Sequence, residues 1–174
     1  MLEGKNDLMC GRFVQAQPPD WYAGFLGVDS VMTEALKPSW NVAPTDQVYA
    51  VATHDGDRQL GTFVWGLLPF WAKDRRLAAK NINARAETVA TKAAFRDSFA
   101  AKRCLIPADG FYEWERREEG KLPHYIYSAD GKPLALAGLW ASWKDRESGS
   151  GCAPAPSSPG VRTTWSLSCT TECR

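Results

Sequence analysis

A chain of 174 residues is long enough to form one domain with a buried core. Hydrophobic residues make up 44% of the chain, charged residues make up 24%, and the net charge is +1. These values are typical of a globular protein and argue against a surface coated in positive charge, although a local basic groove stays compatible with them. No apolar run approaches the roughly 18 residues of a membrane span, and residues 1–9 lack the apolar core of a signal peptide. We therefore expect a cytoplasmic protein without a membrane partner.

The elements predicted in the first half of the chain are mainly strands. A strand at Gly11–Gln15 is followed by a short helix that begins near Pro18-Pro19 and ends at Gly27. Two strands follow, at Gln47–Thr53 and Gln59–Trp65, with a turn at Asp55-Gly56-Asp57 between them. Residues 67–80 show no regular pattern and combine aromatic with basic side chains.

The second half predicts a long helix, Ala84–Ala101, with Phe95 and Phe99 on one face, and then further strands. These strands are predicted at Arg103–Ile106, Phe111–Trp114, His124–Tyr127, Pro133–Trp140 and Val161–Cys169. Asp130-Gly131 is expected to form the hairpin turn between the third and fourth of them, and residues 147–160 indicate a flexible loop rich in Ser, Gly, Pro and Ala. We expect an α+β fold, mostly β, with a curved or barrel-like sheet.

The five cysteines form no CxxC pair. Cys169 and Cys173 form a CxxxC with no second pair or nearby histidine, which argues against zinc. Cys104 lies in an apolar strand pattern and is predicted to be buried. We expect reduced thiols, no metal and no cofactor.

Cys10 is the first candidate for chemistry. If Met9 is the true start and is removed, Cys10 carries a free α-amine beside its thiol. The amine titrates near ~7.7–8.0 and so is partly neutral at pH 7, when it can attack an aldehyde to give an imine. The thiol can then close a five-membered thiazolidine ring, and an opened abasic deoxyribose offers such an aldehyde. The alternative is a small buried residue at the start of a strand.

Two polar motifs are further candidates. In Asn81-Ile82-Asn83-Ala84-Arg85, alternation would point the two asparagines to one side, while the arginine can grip a phosphate. The alternative is a helix cap with a solvated arginine. In Phe111-Tyr112-Glu113-Trp114, aromatic neighbours could desolvate the carboxyl of Glu113 and raise its pKa, which suits acid–base work. A glutamate that simply points to solvent is the alternative.

A fourth candidate is the aromatic segment that ends in Pro69-Phe70-Trp71 and is followed by a basic stretch. Five basic residues and one acidic residue lie between Lys73 and Arg85: Lys73, Arg75, Arg76, Lys80 and Arg85, with Asp74. Stacking faces beside phosphate-binding cations are what single-stranded nucleic acid requires. The alternative is a tryptophan cluster in the core under an exposed charged loop, and Trp71 is the best stacking candidate.

Together these segments resemble the SOS-response-associated peptidase family, also described as abasic-site processing proteins. The resembling pieces occur in the family's order over roughly Met9 to Trp140: Cys10-Gly11-Arg12-Phe13, Asn41-Val42-Ala43-Pro44, Trp65-Gly66-Leu67-Leu68-Pro69 with Trp71, residues Ile82 to Thr88, and residues Cys104 to Trp114. The resemblance implies an α+β fold around a barrel-like core, binding to single-stranded DNA, and a thiazolidine crosslink between the N-terminal cysteine and an abasic site.

The same resemblance assigns roles to individual residues. Cys10 corresponds to the nucleophile, Asn83 to the residue that orients the amine and the opened sugar, and Glu113 to the acid–base group. The positions that correspond to contacts with DNA are Arg12, Pro44, Pro69, Phe70, Trp71 and Arg85. We expect a monomer whose partner is single-stranded DNA that contains abasic sites, located at the nucleoid in a bacterium.

Two departures from the family bear on this interpretation. Residues 1–9 precede Cys10, so we expect either a start at Met9 or removal of this extension by autoproteolysis, in which the Cys10 thiol attacks the preceding carbonyl, before a single domain over 10–174. The family also carries a histidine in a His-x-Arg-Met-Pro segment, whereas the histidines here are His54 and His124. Because residues 169–174 do not continue the family's pattern, we expect a truncated C-terminus. Since the histidine would help to protonate the sugar oxygen, we expect crosslinking without it to be slowed rather than abolished.

Two other functions remain open from the residues. A thiol peptidase acting on other proteins would need a base near Cys10, which no Cys/His spacing identifies. A non-catalytic module that binds single-stranded DNA would need only the basic and aromatic segment, and its binding would be reversible and sensitive to salt.

Overall fold

The computed structural model describes residues 11–143 and the backbone of residues 163–167. Cys10, which the sequence singles out as the nucleophile, lies outside the described residues, as do the extension 1–9, the loop 147–160 and Cys169 to Arg174. The strands, in chain order, are β1 (Arg12–Gln15), β2 (Ser30–Val31), β3 (Ser39–Val42), β4 (Gln47–His54), β5 (Asp57–Trp65), β6 (Arg103–Ala108), β7 (Gly110–Arg117), β8 (Gly120–Ile126), β9 (Leu134–Ser142) and β10 (Thr163–Leu167).

These strands form two sheets. The first has the order β3-β1-β7-β8, and the second has the order β10-β9-β6-β4-β5-β2. In the second sheet β10 pairs with β9 and also, in parallel, with β5, so the sheet curves back on itself. The predicted α+β fold with a curved β core is confirmed, and the predicted strands between Gly11 and Trp140 are all present. None of the helices in the described part of the chain is long and apolar enough to cross a membrane.

The first helix agrees with its prediction and the second does not. Helix α1 (Pro19–Leu26) ends at Gly27, which adopts the left-handed conformation expected of a helix C-cap. Helix α2 is limited to Arg96–Ala101, and residues 85–95 form successive turns instead of the predicted helix. Phe95 is buried, whereas Phe99 is 39% exposed.

The reason for the shorter helix lies in the spacing of its buried residues. Ala84, Val89 and Phe95 are the positions of this segment that enter a common core cluster with Leu67. Steps of five and six residues do not repeat on one helix face, whose period is 3.6. Packing against the core therefore overrides the helix propensity of the many alanines in this segment.

One predicted hairpin is wrong. Residues 128–131 do form a turn, closed by a hydrogen bond from Gly131 N to Ser128 O at 3.1 Å. The strands on its two sides nevertheless belong to different sheets, since β8 pairs with β7 and β9 pairs with β6. The turn at Asp130-Gly131 thus connects the two sheets. A two-residue turn at Glu118-Glu119 closes the hairpin to which β8 belongs.

A buried glutamine ties the two sheets together. The Gln15 amide of β1 donates to Tyr49 O at 3.1 Å and to Pro107 O at 2.8 Å, while its oxygen accepts from Tyr49 N at 2.7 Å. Tyr49 lies in β4 and Pro107 in β6, so this side chain satisfies backbone groups of two strands in the other sheet. Because both polar atoms of the buried amide form hydrogen bonds away from water, the contact fixes the relative position of the sheets.

Candidate functional site

Four of the sequence motifs meet at one apolar cluster. Its buried members include one residue from each of four motifs: Phe13, Val42, Trp65 and Phe111. Ile82 packs against the same cluster, and the Trp65 indole donates to Ile82 O at 3.3 Å. Candidate site residues lie one or two positions along the chain from these anchors: Arg12, Pro44, Asn83 and Glu113. Segments that are distant in sequence are therefore held around a common core.

Arg12 occupies the start of β1, two residues after Cys10. Its Nη1 donates to Asn41 Oδ1 at 3.0 Å, and in the register of the sheet it lies opposite Tyr112 of β7. The Tyr112 hydroxyl in turn donates to Trp40 O at 3.1 Å. The sequence did not single out Asn41 or Tyr112 as partners of Arg12. Strand register, which brings them together, cannot be read from the spacing of motifs.

Glu113 is half-buried on β7. Desolvation by its surroundings raises the pKa of its carboxyl above the ordinary value, although a backbone hydrogen bond from Trp114 opposes part of the effect. The expected desolvation of Glu113 is thus present, and the carboxyl loses its proton at a higher pH than an ordinary glutamate does. The cross-strand neighbour of Glu113 is His124.

Glu115, two residues further along the same strand face, has the opposite character. Its Oε2 lies 2.9 Å from both Arg117 Nη2 and His124 Nε2. Hydrogen bonds from Arg117, and secondly from His124, lower the pKa of the Glu115 carboxyl. Neighbouring carboxyls on one face therefore differ, since hydrogen bonds lower the pKa of Glu115 while desolvation raises the pKa of Glu113.

The two asparagines of the third motif differ in environment. Asn81 is buried and structural, because its side-chain amide donates to Leu67 O at 3.1 Å and its backbone carbonyl accepts from Leu67 N at 3.0 Å. Asn83 is half-buried with its Oδ1 atom enclosed by the protein. Arg85 is exposed, and its carbonyl accepts from Val89 N at 2.9 Å in the turns that follow. The helix expected to begin near these residues is absent, so Asn83 is not a helix cap.

Pro44 lies in a tight turn between β3 and β4. Asp46 N donates to Ala43 O at 3.0 Å across this turn, and Ala43 N donates to the Asp46 carboxylate at 2.8 Å. Thr45 has a φ of 77°, which is uncommon for a β-branched residue and matches the third position of a type II turn. Proline is favoured at the second position of this turn, so the local backbone holds Pro44 in a fixed, partly exposed place.

The segment Pro69-Phe70-Trp71 divides into buried and exposed parts. Pro69 is buried and its carbonyl accepts from Ala72 N at 2.9 Å, so it supports the turn, and the DNA contact expected of it stays a prediction. Phe70 and Trp71 are 67% and 47% exposed. Trp71 also lines a shallow pocket of about 450 Å³ whose charged walls include Lys73, Asp74, Arg76 and Lys80. Hydrogen bonds from Arg76 lower the pKa of the Asp74 carboxyl.

Comparison with known proteins places this arrangement in a family. Residues 9–170 match the family described as SOS response associated peptidase (SRAP). The chain is 40% identical over 141 residues to the abasic site processing protein YoaM of Bacillus subtilis, which covers 80% of this chain and 62% of YoaM. It is 35% identical over 135 residues to the abasic site processing protein YedK of Escherichia coli, which covers 75% of this chain and 59% of YedK.

The fold is also similar to that of a solved structure. A crystal structure of a protein from Bacteroides thetaiotaomicron superposes with a TM-score of 0.74 at 26% identity, covering 90% of this chain and 66% of that protein. The chain spans less than two thirds of the length of the two curated relatives. From the match over residues 9–170, the relatives and the shared fold, we conclude that the chain belongs to the SOS response associated peptidase (SRAP) family.

Proposed function

We propose that this protein processes abasic sites in single-stranded DNA by forming a covalent crosslink through Cys10. The observation that carries the proposal is the meeting of the Arg12, Asn83 and Glu113 segments around one apolar cluster. These are the residue types that the reaction needs, namely a cation for phosphate, an amide for the sugar and a carboxyl with a raised pKa. The names of the curated relatives, which are abasic site processing proteins, support the same reaction.

The chemistry begins with the α-amine of Cys10. The opened abasic sugar offers a C1′ aldehyde, and the neutral amine attacks its carbon. Loss of water gives an imine. The thiol then adds across the C=N bond: sulfur bonds to carbon, and the nitrogen gains a proton, which closes the thiazolidine ring. This sequence requires no oxidant or cofactor, but it requires a proton donor for the leaving oxygen, which is the role we assign to Glu113.

The remaining residues bind and orient. Asn83 has an amide that can donate to the sugar and accept from the amine, and its enclosed Oδ1 favours a fixed orientation. Arg12 and Arg85 contact phosphates, while Phe70 and Trp71 stack on bases. Pro44 forms part of the surface beside the strand. Exposure of the Cys10 amine by autoproteolysis after Met9 is the peptidase activity that the proposal requires of a chain with residues 1–9 attached.

Intact-mass spectrometry tests the proposal most directly. The purified chain is weighed before and after incubation with a single-stranded oligonucleotide that contains one abasic site. We expect a starting mass without residues 1–9, followed by an adduct at the summed mass of protein and DNA, less one water. Because autoproteolysis needs the thiol, Cys10→Ala is expressed from Met9, so that removal of the initiator methionine exposes the amine. In this variant the stable adduct is expected to disappear, because the amine can still form an imine but no thiol can close the ring.

Borohydride provides the matched control. Reduction should trap the imine of Cys10→Ala and leave the amount of wild-type adduct unchanged, which separates loss of the thiol from loss of DNA binding. A stable adduct that survives Cys10→Ala without reduction would contradict the proposal. An uncleaved chain that forms no adduct would leave only reversible binding to DNA.

A further inference from the structure

The hairpin of β7 and β8 carries a row of aromatic rings on one face. Tyr112 pairs in register with Tyr125, and their ring centroids lie 5.2 Å apart. Tyr127 stacks on Tyr125 at 5.3 Å, and Trp114 lies 6.4 Å from Tyr112. Tyr125 and Tyr127 are 42% and 64% exposed, and Trp114 is 38% exposed. We call these four rings the hairpin platform, and a contiguous aromatic surface of this kind marks a site of interaction.

The central ring of the hairpin platform, Tyr125, packs into space left by a glycine. A Cβ atom on Gly110 would lie 2.6 Å from both Cε2 and Cζ of Tyr125, so the ring occupies the space that any other residue would fill. Gly110 is buried beneath it. Tyr125 is thus exposed on its outer side and packed against Gly110 on its inner side, and a packed ring loses little entropy when a ligand stacks on it.

Charges on the hairpin are divided between its faces. Arg116 and Lys121 are cross-strand partners, and the alternation of side chains puts them on the same face as the hairpin platform. Arg12 joins this face from β1, because it lies opposite the first ring of the row. Glu113 and Glu115 take the opposite face by the same alternation. The ring-bearing face therefore presents cations to any ligand, which favours a polyanion.

We propose that the hairpin platform binds the bases of single-stranded DNA and that Arg116 and Lys121 contact its phosphates. The proposal rests on the proposed function, since it extends the DNA path from Arg12 along β7 and β8. Residues two apart on a strand are separated by about 6.7 Å, which leaves room for successive unstacked bases. The path ends before Glu118-Glu119, whose carboxylates at the turn repel phosphate.

Binding of undamaged DNA tests the platform separately from crosslinking. Fluorescence anisotropy is measured with a labelled oligothymidine of 20 nucleotides, for the wild type and for the double variant Tyr125→Ala/Tyr127→Ala. Stacking of bases on aromatic rings contributes directly to binding affinity, so removing two rings should weaken binding of the 20-mer by about tenfold or more. Lys121→Ala should lower the salt dependence of the logarithm of affinity by about one unit.

Rings on α1 supply the matched control. Trp21 and Phe25 are each 41% exposed, and their alanine variants should bind the 20-mer as the wild type does. Wild-type affinity in the Tyr125/Tyr127 variant, or no binding of the 20-mer by the wild type, would overturn the proposal. If the wild type forms no adduct with abasic DNA and the tyrosine variant still loses affinity, the proposed function fails while the platform stands.

Discussion

Replacing Glu113 with glutamine is expected to slow crosslinking to abasic DNA by roughly 10²–10⁴-fold, with little change in affinity for undamaged single strands. The half-buried carboxyl has a raised pKa and so keeps a transferable proton closer to neutral pH than an ordinary glutamate does. Glutamine preserves the shape and hydrogen-bonding capacity but cannot give up a proton. Single-turnover rates with an abasic oligonucleotide, measured at saturating protein, report this step.

The dependence of the crosslinking rate on pH should differ between the wild type and Glu113→Gln. In the proposed reaction the Cys10 amine must be neutral to attack, so the rate is expected to rise with pH toward ~7.7–8.0. Ionisation of Glu113 is expected to remove the proton donor as the pH rises through its raised pKa. The wild type should therefore show a bell-shaped profile. Glu113→Gln should retain only the rise. A Gln variant with the wild-type profile would show that Glu113 transfers no proton in this reaction.

Stability measurements distinguish this effect from misfolding. A carboxyl whose pKa is raised on folding contributes stability below its unfolded pKa, and loses that contribution as the pH rises through the folded value. Glu113→Gln should accordingly unfold at a temperature equal to or above that of the wild type at pH 7, and this advantage should vanish in acid. Thermal denaturation at pH 4 and pH 7 checks the sign.

Glu115→Gln is the matched control. Glu115 lies on the same strand face, but hydrogen bonds from Arg117 and His124 lower the pKa of its carboxyl. An ionised carboxylate cannot act as a proton donor near neutral pH, so this substitution should leave the crosslinking rate close to that of the wild type. Equal losses in the two variants would mean that the charge of the hairpin matters rather than the protonation of Glu113.

Elements whose signals are local could be predicted from the sequence. The turn at Asp55-Gly56 is one such case, since both residues have positive φ angles of 51° and 93°, as a two-residue hairpin of type I′ requires. The strands that flank it, β4 and β5, pair without interruption from Gln47 to His54. Alternation and turn chemistry act over a few residues and therefore need no knowledge of the rest of the chain.

Elements decided by distant contacts could not be predicted in this way. An Asp-Gly pair at 130–131 has the same local signal as the one at 55–56, yet the strands on its two sides join different sheets. Residues 85–95 have helix-forming composition, but Val89 and Phe95 are taken into a core cluster at a spacing that no helix satisfies. In both cases, the choice depends on which strand or cluster lies nearby in space.

The candidate site shows the same division. The desolvation of the Glu113 carboxyl was expected from the motif, and the pKa of this carboxyl is raised by burial. The expected cause differs, because alternation along β7 puts Tyr112 and Trp114 on the face opposite to Glu113. Motif chemistry did not separate Asn81, which serves the backbone of Leu67, from Asn83, and it did not show that Pro69 is buried. The division of charge on the β7–β8 hairpin is visible as alternation in Tyr112-Glu113-Trp114-Glu115-Arg116 once the residues are known to form a strand.

Substituting Gly66 by alanine is expected to destabilise the fold by about 3 kcal/mol, the sum of backbone strain and overpacking. Gly66 has a φ of 126°, a conformation that side chains rarely allow. A Cβ atom there would lie 2.5 Å from Ala78 O and 2.8 Å from Ala78 C. Ala78 belongs to the 3₁₀ helix Arg75–Lys80, so the close approach sets the position of the segment that leads to Asn83.

The consequences reach the candidate site because Leu67 N donates to Asn81 O at 3.0 Å directly beside the crowded pair. Gly66→Ala should thus lower the melting temperature by about 6–12 °C and slow crosslinking as well. Gly24→Ala is the control, since nothing lies within 4 Å of its Cβ on α1, and it should raise stability by about 0.5–1 kcal/mol. Adding Ala78→Gly removes a methyl group but leaves the carbonyl at 2.5 Å, so it should not rescue Gly66→Ala. Full rescue by that second change would show that the methyl contact, rather than the backbone approach, requires glycine at this position.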